Sequence, residues 1–298
     1  MIVRHTHAEK EIEPEVDYRL AHRSARPAGT TVEFGDVRFG NGGFTVIAGP
    51  CSVESSEQIR EAASIVAEHG GGVLRGGAFK PRTSPYSFQG LGIEGLEMMR
   101  EAADHCDIPM VTEVMTPERV EEMAPRVDAF QLGARNMQNF DLLREVGRSH
   151  KPVLLKRGFG TTLREWLLAA EYVLAEGNDR VVLCERGIRT FDEKTRFTLD
   201  IAGATWVRRE THLPVVVDPS HATGDPSLVP AMVHAAVAAG LDGAMVEIHP
   251  NPRDARSDGD QALTPQVFAE MMARLGQIAA ALDVPITPTD RTEDDHEC

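Results

Sequence analysis

Positive charge is scarce in this chain: 31 Lys and Arg stand against 46 Asp and Glu, a formal net charge of −15 at pH 7. That balance argues against nucleic acid or an anionic membrane as a partner, since both attract basic surfaces. Cysteine is sparse too. Cys51, Cys106, Cys184 and Cys298 are scattered without paired spacing, which argues against a disulfide framework and fits a reducing, cytoplasmic setting. No apolar run approaches the roughly 20 residues that span a bilayer. The opening MIVRHTHAEKEIE lacks the apolar centre of a secretory signal. Also missing is a Gly-x-Gly-x-x-Gly run after the first strand-like segment, the mark of a dinucleotide-binding open sheet.

What is present is a rhythm. Residues 1–29 are polar and weakly periodic and read as a largely irregular tail, with one short helical turn at 16–21; His5 and His7 within it read as solvated side chains. Then Val32, Phe34, Val37 and Phe39 alternate with polar residues around Gly35-Asp36, a β-hairpin pattern spanning 30–43 and suited to plug the bottom of a barrel. Strand-like runs follow at 44–48, 73–79, 110–114, 127–132, 153–156, 180–184, 214–217 and 243–248. Helical patterns alternate with them at 55–69, 93–105, 117–124, 140–148, 162–175, 199–210, 226–239 and 265–282. This order predicts an α/β fold, a (β/α)₈ TIM barrel over 30–284, with a short N-terminal extension and an acidic C-terminal tail at 285–298. Cys298, at the end of that tail, reads as incidental.

Polar side chains gather just past the strand ends, where such barrels build their active face. LRGGAFKPRTSPYSFQG carries Arg75, Lys80 and Arg82; GARNMQN carries Arg135; KRG carries Lys156 and Arg157; CERG carries Glu185 and Arg186. In so acidic a protein, cations recurring at equivalent topological positions suit a small multi-anionic ligand: Arg grips phosphate or carboxylate bidentately and Lys acts as a point charge. Four further residues occupy the same kind of position: Cys51 in GPCS, His221 in DPSH, and Glu247 and Asp258 in VEIHPNPRDARSDGDQ. If the strands are parallel staves, these converge as one thiolate, one imidazole and two carboxylates. That mixed set suits Mn, Fe, Co, Zn or Cu, and ligand type alone does not choose among them.

At these motifs the chain resembles the type I 3-deoxy-D-arabino-heptulosonate-7-phosphate (DAHP) synthases of the β subclass, from about residue 44 to 282. The resemblance implies condensation of phosphoenolpyruvate with erythrose 4-phosphate, releasing phosphate, at the entry to aromatic biosynthesis by the shikimate pathway. It implies one divalent metal, Mn²⁺ ahead of Co²⁺, Fe²⁺, Zn²⁺ and Cu²⁺, on Cys51, His221, Glu247 and Asp258. Phosphoenolpyruvate would meet Arg75 and Lys80 at its carboxylate and Arg135, Lys156 and Arg186 at its phosphate. The turn Pro81, Arg82, Thr83 and Ser84 would take the phosphate of the aldose. Lys80 is the candidate proton donor to the new hydroxyl, and Glu185 or a water on the metal the candidate base. His221 counts among the catalytic residues as well as the ligands.

The sibling 3-deoxy-manno-octulosonate 8-phosphate synthases carry a K-A-N-R-S-S-like pattern after the lysine, whereas this chain reads Lys80-Pro81-Arg82-Thr83-Ser84. Cys51 also departs from the metal-free siblings, which carry asparagine there. A sugar-phosphate-binding barrel without catalysis and a pyruvate aldolase are the readings from other classes. The first predicts a lost ligand or anion-binding residue and none is missing; the second needs fewer phosphate-binding cations. By family analogy a homodimer or homotetramer is expected. With so few residues before Phe44, no built-in regulatory domain is expected, and a separate regulatory partner such as chorismate mutase is compatible with that expectation.

Overall fold

Largely apolar runs, three to six long and ending at or just before glycine or a charged residue, leave the barrel strands of this protein little choice but burial. The computed structural model describes residues 16–80 and 86–287. Pro81, Arg82, Thr83 and Ser84 lie outside the described residues, as do His5, His7 and Cys298.

A hairpin of β1 (Val32–Phe34) and β2 (Val37–Phe39) precedes eight parallel strands, each followed by helix. These run β3 (Phe44–Gly49), α1 (Ser56–Glu68), β4 (Val73–Arg75), α2 (Ile93–His105), β5 (Met110–Glu113), α3 (Val120–Met123), β6 (Ala129–Leu132) and α4 (Phe140–Arg148). The second half runs β7 (Val153–Lys156), α5 (Leu163–Ala175), β8 (Val181–Glu185), α6 (Ile201–Glu210), β9 (Val215–Val217), α7 (Pro219–Thr223), α8 (Val229–Ala238), β10 (Gly243–Glu247) and α9 (Pro265–Ala281). Pairing of β10 with β3 closes the barrel.

Alternation along the strands divides the core in two. Phe44, Val46 and Ala48 of β3 join the layer between strands and helices, while Ile47 points inward. Inside, Ile47 meets Val73, Val111, Ala129, Leu154, Val182, Cys184, Val216 and Met245. The hairpin supplies the rest of this inner core. Val32, Phe34, Val37 and Phe39 are buried in it, the two rings 4.8 Å apart, while Glu33 and Arg38 pair on the exposed side. The plug sits at the strands' N-terminal ends, with Thr30 N–H donating to His212 O ahead of β9.

Several local differences from the sequence pattern have physical causes. The second strand stops at Arg75 rather than reaching Phe79, because Gly76-Gly77 turns the chain back until Lys80 Nζ meets Cys51 O at 2.7 Å. The helix expected at 117–124 is broken into a 3₁₀ turn, the four-residue α3 and a second 3₁₀ turn, the last of which holds Pro125, a residue with no N–H to donate. Residues 16–29 dock rather than trail: Tyr18 donates to Glu210 at 2.7 Å, and Leu20 and Ala21 N–H donate to Glu171. Past Val284, where the acidic tail was expected to fray, β11 (Ile286–Thr287) pairs with Phe44 and Thr45 of β3. The short α7 has no counterpart in the hydrophobic pattern. It exists because Pro219 opens it and Asp218 Oδ1 caps it, accepting the His221 N–H at 3.0 Å.

Candidate active site

Side-chain parity decides which polar residues enter the barrel mouth. Two residues on from an inward apolar side chain lie Arg75 (after Val73), Lys156 (after Leu154), Arg186 (after Cys184), Asp218 (after Val216) and Glu247 (after Met245). Counting two at a time from Ile47 likewise brings the chain through Gly49 to Cys51. Gly49 makes that exit possible: its φ is +151°, and a Cβ there would lie 2.0 Å from the Arg75 carbonyl. Glu185 and Arg157 have the opposite parity and face the helix layer.

At the mouth, ligand atoms of Cys51, Glu247 and Asp258 lie within 4.8 Å of one another. The Cys51 thiol donates to Asp258 Oδ2 at 3.1 Å, and Lys80 Nζ donates to Cys51 Sγ at 3.0 Å. His221 stands beside this group rather than within it, with Nε2 3.3 Å from Glu247 Oε1. Glu247 is fully buried, accepts from Arg75 Nη1 at 2.8 Å, and accepts from Gln261 Nε2 on its other oxygen. Burial pushes its pKa up, but His221, Arg75 and Lys80 overcome that and bring it down to about 2. Cys51 goes the other way: burial and the Glu247 charge push its thiol up to about 11, against Lys80 and Arg75. Burial, against the pull of Asp218 and Glu247, also holds the His221 imidazole below its ordinary pKa. A thiol kept protonated by burial and a neighbouring carboxylate, with two carboxylates converging on it and an imidazole beside them, is a donor set whose mutual repulsion a divalent cation would relieve. The residues fit a metal.

Around this group the cations are buried. Lys156 Nζ lies 2.5 Å from Asp218 Oδ2. Arg186 stacks over Phe197 at 4.4 Å, and its Nη1 is buried without a hydrogen-bond partner among the described residues, as is Arg75 Nε. At the mouth, an open guanidinium nitrogen leaves Arg186 able to donate to an anion. Arg135 stands exposed on the 3₁₀ turn Ala134–Asn136 past β6. Glu185 is fully buried. Its Oε1 accepts from Gly187 N–H at 2.6 Å and Asp200 N–H at 3.2 Å, and its Oε2 from Arg157 Nη1 at 3.3 Å.

The model of the DAHP synthetase I family matches residues 17–283. The chain belongs to this family. Among relatives of this DAHP synthetase I chain, the phospho-2-dehydro-3-deoxyheptonate aldolase of Thermotoga maritima is 51% identical over 269 residues, 90% of this chain and 80% of that protein. The 2-dehydro-3-deoxyphosphooctonate aldolase of Syntrophotalea carbinolica is 33% identical over 266 residues, 82% of this chain and 95% of that protein. The crystal structure of the Thermotoga maritima aldolase (DAHP synthase) superposes with a TM-score of 0.89 at 50% identity, covering 91% of this chain and 80% of that one. A truncated form of 3-deoxy-D-arabino-heptulosonate 7-phosphate synthase from the same organism gives 0.85 at 46% identity, covering 91% of this chain and 99% of the other.

Two buried polar residues of this DAHP synthetase I site lie inside motifs quoted above, DPSH and VEIHPNPRDARSDGDQ, yet are not singled out there. Gln261 follows the loop after β10, and no periodicity marks it. Asp218 is discernible only by its parity with Val216. No helix among the described residues is long and apolar enough to cross a membrane.

Proposed function

We propose that the protein is a DAHP synthase, condensing phosphoenolpyruvate and water with erythrose 4-phosphate to give 3-deoxy-D-arabino-heptulosonate 7-phosphate and phosphate, the water adding at C2 and the phosphate leaving by C–O cleavage. The observation that carries the reading is the shared inward register, which sets the Cys51–Glu247–Asp258 group and the cations Arg75, Lys80, Lys156 and Arg186 around one mouth. Cys51, His221, Glu247 and Asp258 would hold one divalent metal, Mn²⁺ ahead of Co²⁺, Fe²⁺, Zn²⁺ and Cu²⁺, which when bound would supply Lewis-acid polarisation of the aldehyde oxygen. The protein's own side chains do the rest. Lys156 and the open Nη1 of Arg186 grip the phosphate of phosphoenolpyruvate, with Arg135 closing from the rim. Arg75 and Lys80 face its carboxylate. This fixes C3 of the enol against the aldehyde, which is largely an entropic gain. Lys80 Nζ, held at Cys51, is placed to give a proton to the new hydroxyl. Pro81, Arg82, Thr83 and Ser84 take the phosphate of the aldose. Glu185, facing outward, braces the turn that carries Arg186.

Catalysis belongs to residues 30–284, in a cytoplasmic homodimer or homotetramer open to a regulatory partner such as chorismate mutase. Phosphate release measured with Mn²⁺, phosphoenolpyruvate and either erythrose 4-phosphate or arabinose 5-phosphate tests the reading. Turnover with the four-carbon acceptor, abolished by EDTA and restored by Mn²⁺, is expected. Preference for arabinose 5-phosphate would transfer the assignment to the octulosonate sibling, and full turnover after stripping would remove the metal from it.

A further inference from the structure

Asp218 has no part in the chemistry above, yet it is wholly buried and touches both halves of the site. Its Oδ2 lies 2.5 Å from Lys156 Nζ and 2.8 Å from His221 Nδ1. Its Oδ1 accepts the His221 backbone N–H at 3.0 Å, and its own N–H donates to Glu185 O at 2.6 Å. One carboxylate thus caps the backbone of His221 and stands against its ring, whose Nδ1 has no other partner among the described residues. Across the same imidazole, Nε2 faces Glu247 at 3.3 Å, and Glu247 is bonded to Arg75 at 2.8 Å. A buried row therefore runs Lys156–Asp218–His221–Glu247–Arg75, with a cation at each end, a carboxylate inside each, and the imidazole at the centre.

We propose that Asp218 is a positioning residue that couples the metal end of the site to the anion end, by orienting His221 and by holding Lys156 until an anion takes it over. The inference rests on the metal-dependent reading above. The charge of Asp218, closer to Nδ1 than Glu247 is to Nε2, favours a proton on Nδ1 and so turns the Nε2 lone pair toward a cation. At the same time, an anion arriving at Lys156 competes with Asp218 for the same ammonium. The charge on Asp218 therefore strengthens cation binding and weakens anion binding. A residue that merely supported the fold would move both affinities the same way.

The test compares wild type with Asp218→Asn, nearly equal in size and lacking the charge. Titration calorimetry on metal-stripped protein would give Kd for Mn²⁺ and, separately, for inorganic phosphate, and ¹⁵N resonances of His221 would report its tautomer. Mn²⁺ binding is expected to weaken about 10–100-fold, phosphate binding to tighten, and the Nδ1–H tautomer to give way to a mixture. Should the Asn protein not fold, Asp218→Glu serves instead: it keeps the charge on a longer arm, so Mn²⁺ binding weakens while phosphate affinity stays within twofold. Equal Mn²⁺ affinities in variant and wild type, or phosphate weakening alongside Mn²⁺, would overturn the inference alone. Failure of the wild type itself to bind Mn²⁺ would overturn the metal assignment and the inference with it.

Discussion

Replacing Glu185 with Gln separates two roles that the residue type allows, base and brace. Both oxygens of Glu185 accept: Oε1 from the Gly187 and Asp200 N–H groups, Oε2 from Arg157 Nη1. An amide has only one acceptor oxygen, so in any orientation its NH₂ must face a donor. The loss includes a charge-assisted hydrogen bond, about 1.5–3 kcal/mol, and breaking a buried ion pair from one side typically costs about 3–5 kcal/mol. Two features favour the lower end. Arg157 keeps a second partner in Asp200 at 2.9 Å, and burial already pushes the Glu185 carboxyl up against Arg157 and the backbone donors, so removing the charge recovers some desolvation. The expectation is a loss of about 3 kcal/mol in urea unfolding, with single-turnover rates lowered less than about tenfold. A general base contributes roughly 10²–10⁴ in rate. A hundredfold or greater fall in the chemical step, with stability within about 1 kcal/mol of wild type, would make Glu185 the base and refute the brace.

Cys51→Ala removes the one sulfur of the donor group and should weaken Mn²⁺ binding well beyond any change in stability; unchanged affinity by calorimetry would exclude Cys51 as a ligand. Phe34→Ala, in the plug at the opposite end of the barrel, should lose about 3–5 kcal/mol of stability while Mn²⁺ affinity stays constant, and a parallel loss of metal binding would contradict that separation. The Tyr18 phenol is raised from 10.0 to about 12 by burial and by its bond to Glu210. Because the folded value is the higher one, docking of residues 16–29 contributes fully below pH 10 and is lost as the pH climbs through 12. The phenolate absorbance missing in Tyr18→Phe should therefore appear late in an alkaline titration, and an ordinary midpoint for that component would mean the segment is not held through Tyr18.

The parts of the fold legible in the chain are those where local pattern and tertiary demand coincide. Ile93–His105 and Phe140–Arg148 carry their apolar face at helical spacing, and the observed bounds coincide with the pattern. Val32, Phe34, Val37 and Phe39 alternate because one face of the hairpin is buried and the other wet. The gathering of Cys51, Glu247 and Asp258 was legible too, since each follows a strand and parallel strands share one exit face. Legibility failed where one side chain sets a conformation for which no repeat is needed, as with the Asp218 cap of α7.

The deeper limit lies in the barrel strands themselves. Val153-Leu154-Leu155 and Val181-Val182-Leu183 are buried on both faces, so hydrophobicity does not alternate and nothing local tells inside from outside. Neighbours such as Lys156 and Arg157, or Glu185 and Arg186, then look equally eligible for the site. Only strand register separates them, and it does so without ambiguity: once Leu154 and Cys184 are known to point inward, Lys156 and Arg186 must follow, and Arg157 and Glu185 must meet on the other side. That they do meet, at 3.3 Å and buried, is the observation that favours the brace over the base for Glu185. Arg186, left behind at the mouth, keeps a buried nitrogen open for an anion among the described residues, as Arg75 does.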